Sequence, residues 1–288
     1  MIRKLTLSAI AVTLLAGGAL FANAADSRNE ARLDVAPGGT LNVIDNYGSV
    51  TLRSGAGKQV IVTAVLHSPK VETDQTVTAD KRRVEVVAHP VGDQKPSPDE
   101  TRVDYEITVP SGIAVSVTTA TAPISADGLS GDLSFSSDTG QITVRNIARS
   151  HVHVRGVTAP VNLTNINLGH VEVTSSGGAV EMVDVAGPKV YVGTTSGNIS
   201  YRGDCSGAGE YNFTTHSGAI DVVLPEAASF DLSARSVSGS VQNDFPLTQK
   251  THTSFVPQAG RSFAGTSHSG SSSVDLQSFS GRIRVKKQ

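Results

Sequence analysis

Residues 115–243 repeat with a period near 19, and that period leaves few folds open to the chain. An apolar pair at i and i+2 recurs as Val115/Val117, Leu133/Phe135, Val152/Val154, Val171/Val173, Val190/Val192, Tyr211/Phe213 and Phe230/Leu232. The starts are spaced 18, 19, 19, 19, 21 and 19 residues apart. A second apolar pair is expected nine residues after each first, led by Ile124, Ile142, Val161, Val180, Ile199, Ile220 and Val241. Apolar and polar residues alternate within each pair, which is the period of a strand with one buried face. The residues are mostly Val, Ile, Thr, Phe and Tyr, types that suit a pleated surface.

Between the two strands runs a turn: Asp138-Thr139-Gly140, Ser176-Gly177-Gly178, Thr195-Ser196-Gly197, His216-Ser217-Gly218 and Ser238-Gly239. Its glycine is expected to supply a corner with positive φ, and its Ser or Thr to bond the local backbone. Thr121-Ala122-Pro123 and Thr158-Ala159-Pro160 depart from the motif. Proline is allowed at a strand's first position, so the corner is expected to survive there with another turn type. A third apolar position follows as Leu129, Ile147, Ile166, Val185, then Cys205, Leu224 and Phe245. The fold class that follows is all-β: a single-stranded β-solenoid, β-helix-like, with coils of about 19 residues and three inward faces. One coil cannot bury its own apolar faces, so stacking is obligatory. With 28 Gly, no Trp and 5% aromatic residues, a narrow core of small stacked side chains fits better than one large globular core.

Leu41/Val43 with Val50/Leu52, and Val274/Leu276 with Ile283/Val285, obey the nine-residue rule. They are expected as a first and a last coil, set apart from the central stack by insertions. The first insertion, 67–102, is charged and contains Pro69, Pro90, Pro96 and Pro98. Val84-Glu85-Val86 within it reads as a strand, 96–100 as an exposed loop, and Val103, Tyr105, Ile107 and Val109 as a strand ending at Pro110. The second insertion, 245–265, is expected to fold over the open end of the stack, where a bare edge would invite aggregation. The expected organisation is therefore a cleaved leader at 1–24, an N-terminal coil with its insertion at 25–110, and the repeat stack with its closing coil at 111–288.

Arg3 and Lys4, an apolar run over 5–21 and the small-residue site Ala22-Asn23-Ala24 read as a secretory signal peptide cut before Ala25. The expected location is the periplasm, the cell surface or the medium, as a soluble chain with no membrane span. Cleavage takes Lys+Arg from 24 to 22 against 26 acidic residues, so the net charge becomes −4 and no nucleic-acid partner is expected. Arg282 and Arg284 alternate with Ile283 and Val285 as the wet face of a last strand. Cys205 is the one cysteine, which excludes an intramolecular disulfide; its inward position suits a buried apolar side chain.

Asn42-Val43-Ile44-Asp45-Asn46-Tyr47-Gly48-Ser49-Val50, Val109-Pro110-Ser111-Gly112, the repeated Ser-x-Gly-x-Ile corners and Ser278-Phe279-Ser280-Gly281-Arg282-Ile283 resemble the bacterial putative-adhesin family. The resemblance covers nearly the whole chain after the leader. It implies an exported or envelope-attached β-solenoid domain, surface adhesion or envelope sensing, and no catalytic motif.

Solenoids also carry polysaccharide-active enzymes, whose sites need paired carboxylates or a carboxylate with a basic residue on one outer face. Outward positions of the second strand read Ser125, Thr143, Asn162, Glu181, Ser200, Asp221 and Gln242, with Glu181 and Asp221 two coils apart. On the first strand Glu172 and Asp231 are further apart still. No catalytic residue is assigned, and a non-catalytic binding or scaffolding module is the expected function, with an envelope glycan or protein as partner. A carbohydrate-active enzyme is the alternative reading and a self-assembling structural solenoid the third. A 19-residue coil places His151 beneath His170 and His153 beneath Glu172. These four are candidate zinc ligands or, failing metal, a proton-sensitive patch.

Overall fold

The computed structural model describes residues 26–92, 96–205, 208–249, 255 and 258–288, so the leader and its cleavage site lie outside the described residues. The fold is a β-solenoid in which each coil contributes one strand to each of two sheets. The chain opens with β1 (Ser27–Asp34), and a first coil follows as β2 (Thr40–Ile44) and β3 (Gly48–Gly55). Before the repeats come β4 (Gln59–Leu66), β5 (Val71–Val77), β6 (Arg83–Pro90), a 3-10 turn η1 (Pro98–Thr101) and β7 (Val103–Pro110), of which β5, β6 and η1 lie in the first insertion. The expected strands at 84–86 and 103–109 are therefore present, and the segment 96–100 between them, expected as an exposed loop, is tightened into η1.

The repeats supply β8 (Ala114–Thr119), β9 (Ile124–Asp127), β10 (Asp132–Ser137), β11 (Ile142–Ala148), β12 (His151–Gly156) and β13 (Val161–Asn167). They continue as β14 (His170–Ser175), β15 (Val180–Ala186), β16 (Lys189–Thr194), β17 (Ile199–Arg202), β18 (Glu210–Thr215) and β19 (Ile220–Leu224). Then come β20 (Phe230–Ser236), β21 (Val241–Asn243), β22 (Thr248–Gln249), β23 (Ser262–Ser267), β24 (Ser272–Ser278) and β25 (Ile283–Lys287). Even-numbered repeat strands stack in parallel in a 13-stranded sheet and odd-numbered ones in a 12-stranded sheet. Val152, Val171 and Val190 share one column and Ile142, Val161, Val180 and Ile199 another, all buried, as the period requires. One continuous core runs from Leu41 to Val285, and each sheet holds strands from both 25–110 and 111–288.

The third inward side is the tail of the second strand. In β11 and β13 a residue in the left-handed region, Asn146 (φ 57°) or Asn165 (φ 53°), bends the strand, and Ile147 pairs with Ile166 beyond the bend. Asp184 repeats the bend at φ 53° before Val185. Asn and Asp tolerate this conformation better than other side chains with a Cβ. Here they also form a ladder: Asn165 Nδ2 donates to Asn146 Oδ1 and Asn146 Nδ2 to Asp127 Oδ1, each at 2.8 Å.

The corner glycines need a different explanation from the one expected. Gly140, Gly178, Gly197, Gly218, Gly239 and Gly281 do not have positive φ. A Cβ on Gly178 would instead lie 1.9 Å from the Ala159 carbonyl oxygen, and one on Gly197 2.1 Å from that of Gly178. Close stacking of successive corners demands the glycine. The hydroxyl that serves the turn sits three residues earlier and is buried: Ser175, Thr215 and Ser278 accept from the N–H of Gly178, Gly218 and Gly281 at 3.0, 3.0 and 2.8 Å.

Two further corrections concern the ends. In the seventh repeat the aligned pair is Leu232/Ala234, opposite Val274/Leu276, rather than Phe230/Leu232; this restores the nine-residue step to Val241. The closing coil is not last in space. β24 lies between β18 and β20, and β25 between β19 and β21. Arg284 meets Asp221 of β19 at 2.5 Å, with Arg282 at 3.7 Å, so charge complementarity favours this neighbour. At the other end β2–β3 sit between β6–β7 and β8–β9. The coils that are separate in sequence thus join the stack directly. Antiparallel strands cover the outer coils: β4 and β1 beyond β7, β5 beyond β6, and β23 with β22 beyond β20. The described strands of and beside the second insertion, β22 and β23, cover the β20 edge of one sheet as expected, while β21 ends the other.

Candidate functional site

The outer face of β12, β14 and β16 holds a depression of about 520 Å³ whose floor is formed at Val152 and Val171. Those valines point inward and are buried, so the alternating residues on either side of them point out and make the walls. Two columns result. Preceding the valines, His151 pairs with His170 and His170 with Lys189; following them, His153 pairs with Glu172 and Glu172 with Tyr191. The four candidate residues are therefore brought together in the expected register. Lys189 and Tyr191, which complete the site, were reachable by the same arithmetic, being 19 residues beyond His170 and Glu172.

The imidazoles of His151 and His170 stack with centroids 4.9 Å apart and planes 6° from parallel. His151 Nδ1 lies 3.4 Å from Asp132 of β10, and His153 Nδ1 lies 3.6 Å from Glu172. His170 and Lys189 have no ion-pair partner among the described residues. Gly193 leaves room beside Tyr191: a Cβ there would meet the phenol oxygen at 3.0 Å. In-plane nitrogen lone pairs of parallel, stacked rings run side by side rather than converging, whereas a zinc ion needs them to meet at ~2.0–2.1 Å. Among the described residues no three or more His, Cys, Asp or Glu side chains are grouped to hold a metal ion. What the arrangement can do as it stands is hydrogen-bond: the Lys189 ammonium and the Tyr191 hydroxyl can donate, the Glu172 carboxylate can accept, and the imidazole nitrogens line the same face.

The outward carboxylates of the other sheet do not form a pair. Glu181 and Asp221 are separated in register by Ser200, and Asp221 is engaged by Arg284. Cys205 is buried, and burial pushes its thiol up to about 12, which removes it as a nucleophile. Two features near the N-terminal end carry no repeat signature and were not singled out from the sequence. Asp45 is fully buried with neither carboxyl oxygen hydrogen-bonded, and the Tyr105 hydroxyl is likewise buried and unpartnered. His67 places Nδ1 3.0 Å from Asp26 and Nε2 2.6 Å from Asp104, which also accepts from Ser49 Oγ at 2.7 Å. Burial works to raise Asp104, but the hydrogen bonds from Ser49 and His67, with Arg102 close by, hold it below the usual carboxylate range.

Among the described residues, no helix is long and apolar enough to cross a membrane. Among curated proteins none matches the chain. Two crystal structures are similar over most of its length. One, of a "putative cell adhesion protein" from Clostridium sporogenes, is 14% identical; the match covers 92% of this chain and 100% of that one, with a TM-score of 0.28. The other, of a "putative adhesin" from Bacteroides fragilis, is 9% identical, covering 91% and 97%, with a TM-score of 0.49. A family model described as Toastrack DUF4097 matches residues 41–286, from the first coil to the last strand. The chain belongs to the Toastrack DUF4097 family.

Proposed function

We propose that this chain is a non-catalytic, exported binding module of the bacterial cell envelope, adhesin-like in use, which presents the outer face of β12, β14 and β16 to its partner. The observation that carries the reading is the depression itself, a concave, mixed polar and aromatic surface on the most regular part of the stack. A site on parallel strands is held more rigidly than one on loops, which lowers the ordering cost of binding. Export rests on the leader read from the sequence, and adhesion agrees with the family resemblance described there. The enzyme reading has less support, because the outward carboxylates Glu181 and Asp221 stand apart. Self-assembly through bare ends is opposed by the antiparallel strands laid over the outer coils.

The experiment is retention of envelope polysaccharides and proteins on the immobilised chain, wild type beside the triple variant His151→Ala/Glu172→Ala/Tyr191→Ala. The wild type is expected to retain ligand intact and the variant to lose it. Depolymerised products would turn the reading toward an enzyme. Equal retention by both chains would place the contact on another face.

A further inference from the structure

We infer that the depression on β12, β14 and β16 binds an acidic saccharide, its carboxylate against the His151–His170–Lys189 column and its hydroxyls toward Glu172, and that it binds more tightly below neutral pH. The inference deepens the proposed function and rests on its choice of face.

Three of the chain's eight histidines line this one depression. Its permanent charges, Glu172 and Lys189, cancel, so each imidazole that takes up a proton turns the site cationic. The charges are also sorted. Within the depression the column preceding the valines holds His151, His170 and Lys189, with the carboxylates Asp132 and Glu210 next in register at its two ends, and His170 and Lys189 lack an ion-pair partner among the described residues. Two stacked imidazolium rings 4.9 Å apart repel one another, and an anion bridging them removes that repulsion. The other column offers a carboxylate at Glu172 and the ring of Tyr191. Glu172 would repel a second anion but accepts hydrogen bonds from hydroxyls, and the ring of Tyr191 suits the C–H face of a sugar ring. Residues at i and i+2 are ~6.6 Å apart along a strand, a gap that one sugar ring spans. A carboxylate on a hydroxyl-rich, partly apolar body meets all three demands; a neutral sugar meets two, and a simple anion one.

The groups facing these histidines limit the pH range. Asp132 on β10 lies against His151, Glu172 on β14 against His153, Lys189 and Tyr191 follow on β16, and Arg155 on β12 and Glu210 on β18 border the site. An ordinary carboxylate stays ionised at pH 5.5, where an ordinary imidazole is mostly protonated. Binding is therefore expected to strengthen from pH 7.5 to 5.5.

Calorimetric titration of the full exported chain with trigalacturonate, maltotriose, tri-glutamate and zinc, at both pH values, decides it. Trigalacturonate is expected to bind at least tenfold more tightly at pH 5.5 than at 7.5, with maltotriose and tri-glutamate at least tenfold weaker at pH 5.5. His170→Ala and Lys189→Ala, exposed changes checked by an unshifted thermal midpoint, should each weaken it at least fivefold, and His170→Ala should flatten the pH dependence. Equal affinity for tri-glutamate would reduce the site to a simple anion site, and equal affinity for maltotriose would remove the acid. Zinc binding lost in His151→Ala would restore the metal reading. Any of these, or no binding of trigalacturonate at either pH, overturns the inference. If envelope material is still retained by the wild type and not by the triple variant, only the saccharide assignment falls; if retention is equal, the choice of face falls with it.

Discussion

A carboxyl buried without hydrogen bonds, as in Asp45, is held in the folded chain as the neutral acid. Burial pushes it up to about 8. The Tyr47 N–H favours the ionised form but falls short of hydrogen-bond geometry, and the nearby Asp104 adds to the rise. In the unfolded chain an Asp titrates near 3.9. Between the two values the native state holds the extra proton, so stability declines as pH climbs from about 4 to about 8. Asp45→Asn should therefore leave the thermal midpoint unchanged near pH 4 and raise it increasingly toward pH 8.5, as read by calorimetry across pH. Glycines offer a second test at this scale. Gly178→Ala forces a Cβ onto the Ala159 carbonyl and should cost ~1–3 kcal/mol or more in denaturant unfolding. Gly112→Ala, at φ 75° with open space around it, should cost only the ~1–2 kcal/mol of a left-handed residue. Were corner conformation rather than corner stacking the constraint, Gly112 would be the more sensitive. Facing direction is tested by neighbours: Val171→Asp buries a charge without a partner, whereas Glu172→Lys on the exposed face should change stability within about 0.5 kcal/mol.

Strands are joined here by devices that repeat as columns, which makes one coil a template for the next. The buried hydroxyl, the corner glycine and the left-handed Asn or Asp each recur in register; the hydroxyl takes the N–H of the corner glycine, and the Asn side chains bond one another from coil to coil. Where columns stop, other elements take over. At the N-terminal end β1 is an exposed edge strand paired to β4, and His67 ties its start to β7 through Asp26 and Asp104. A ring with a carboxylate on both nitrogens can donate to both only as imidazolium. His67→Ala should thus speed amide hydrogen exchange in Ser27–Asp34 while leaving β12–β16 unchanged, because edge strands open locally without global unfolding.

At the scale of the molecule, both terminal coils are clasped: β2–β3 by β6–β7 on the outside, and β24–β25 by β20–β21. A coil held between two others cannot open without breaking two ladders. Deleting residues 272–288 removes a full coil from between β18–β19 and β20–β21 rather than a peripheral hairpin. The truncated chain should lose its cooperative unfolding transition in β18–β23, followed by hydrogen exchange, while the first coils keep their protection, since a solenoid's stability is built from nearest neighbours. Deleting β22 alone, which among the described residues pairs with β23 through two residues, should have a small effect by comparison.

The alternation of Val, Ile and Leu with polar residues, repeated every 19 positions, determined the solenoid, its inward columns and the meeting of His151 with His170 and His153 with Glu172, because parallel stacking turns sequence period directly into spatial register. The same period contained the left-handed column, with Asn146, Asn165 and Asp184 each four residues after a second strand begins, and it extended to Lys189 and Tyr191. Only the tertiary structure decided what lies outside the period. It showed that corner glycines answer to a neighbouring carbonyl, that the imidazoles lie parallel, and that Asp45 is buried. It also placed the closing coil one step in from the end. Several edges could accept a strand of that pattern, and the choice among them is made by long-range contacts such as Asp221 with Arg284, which local alternation cannot encode.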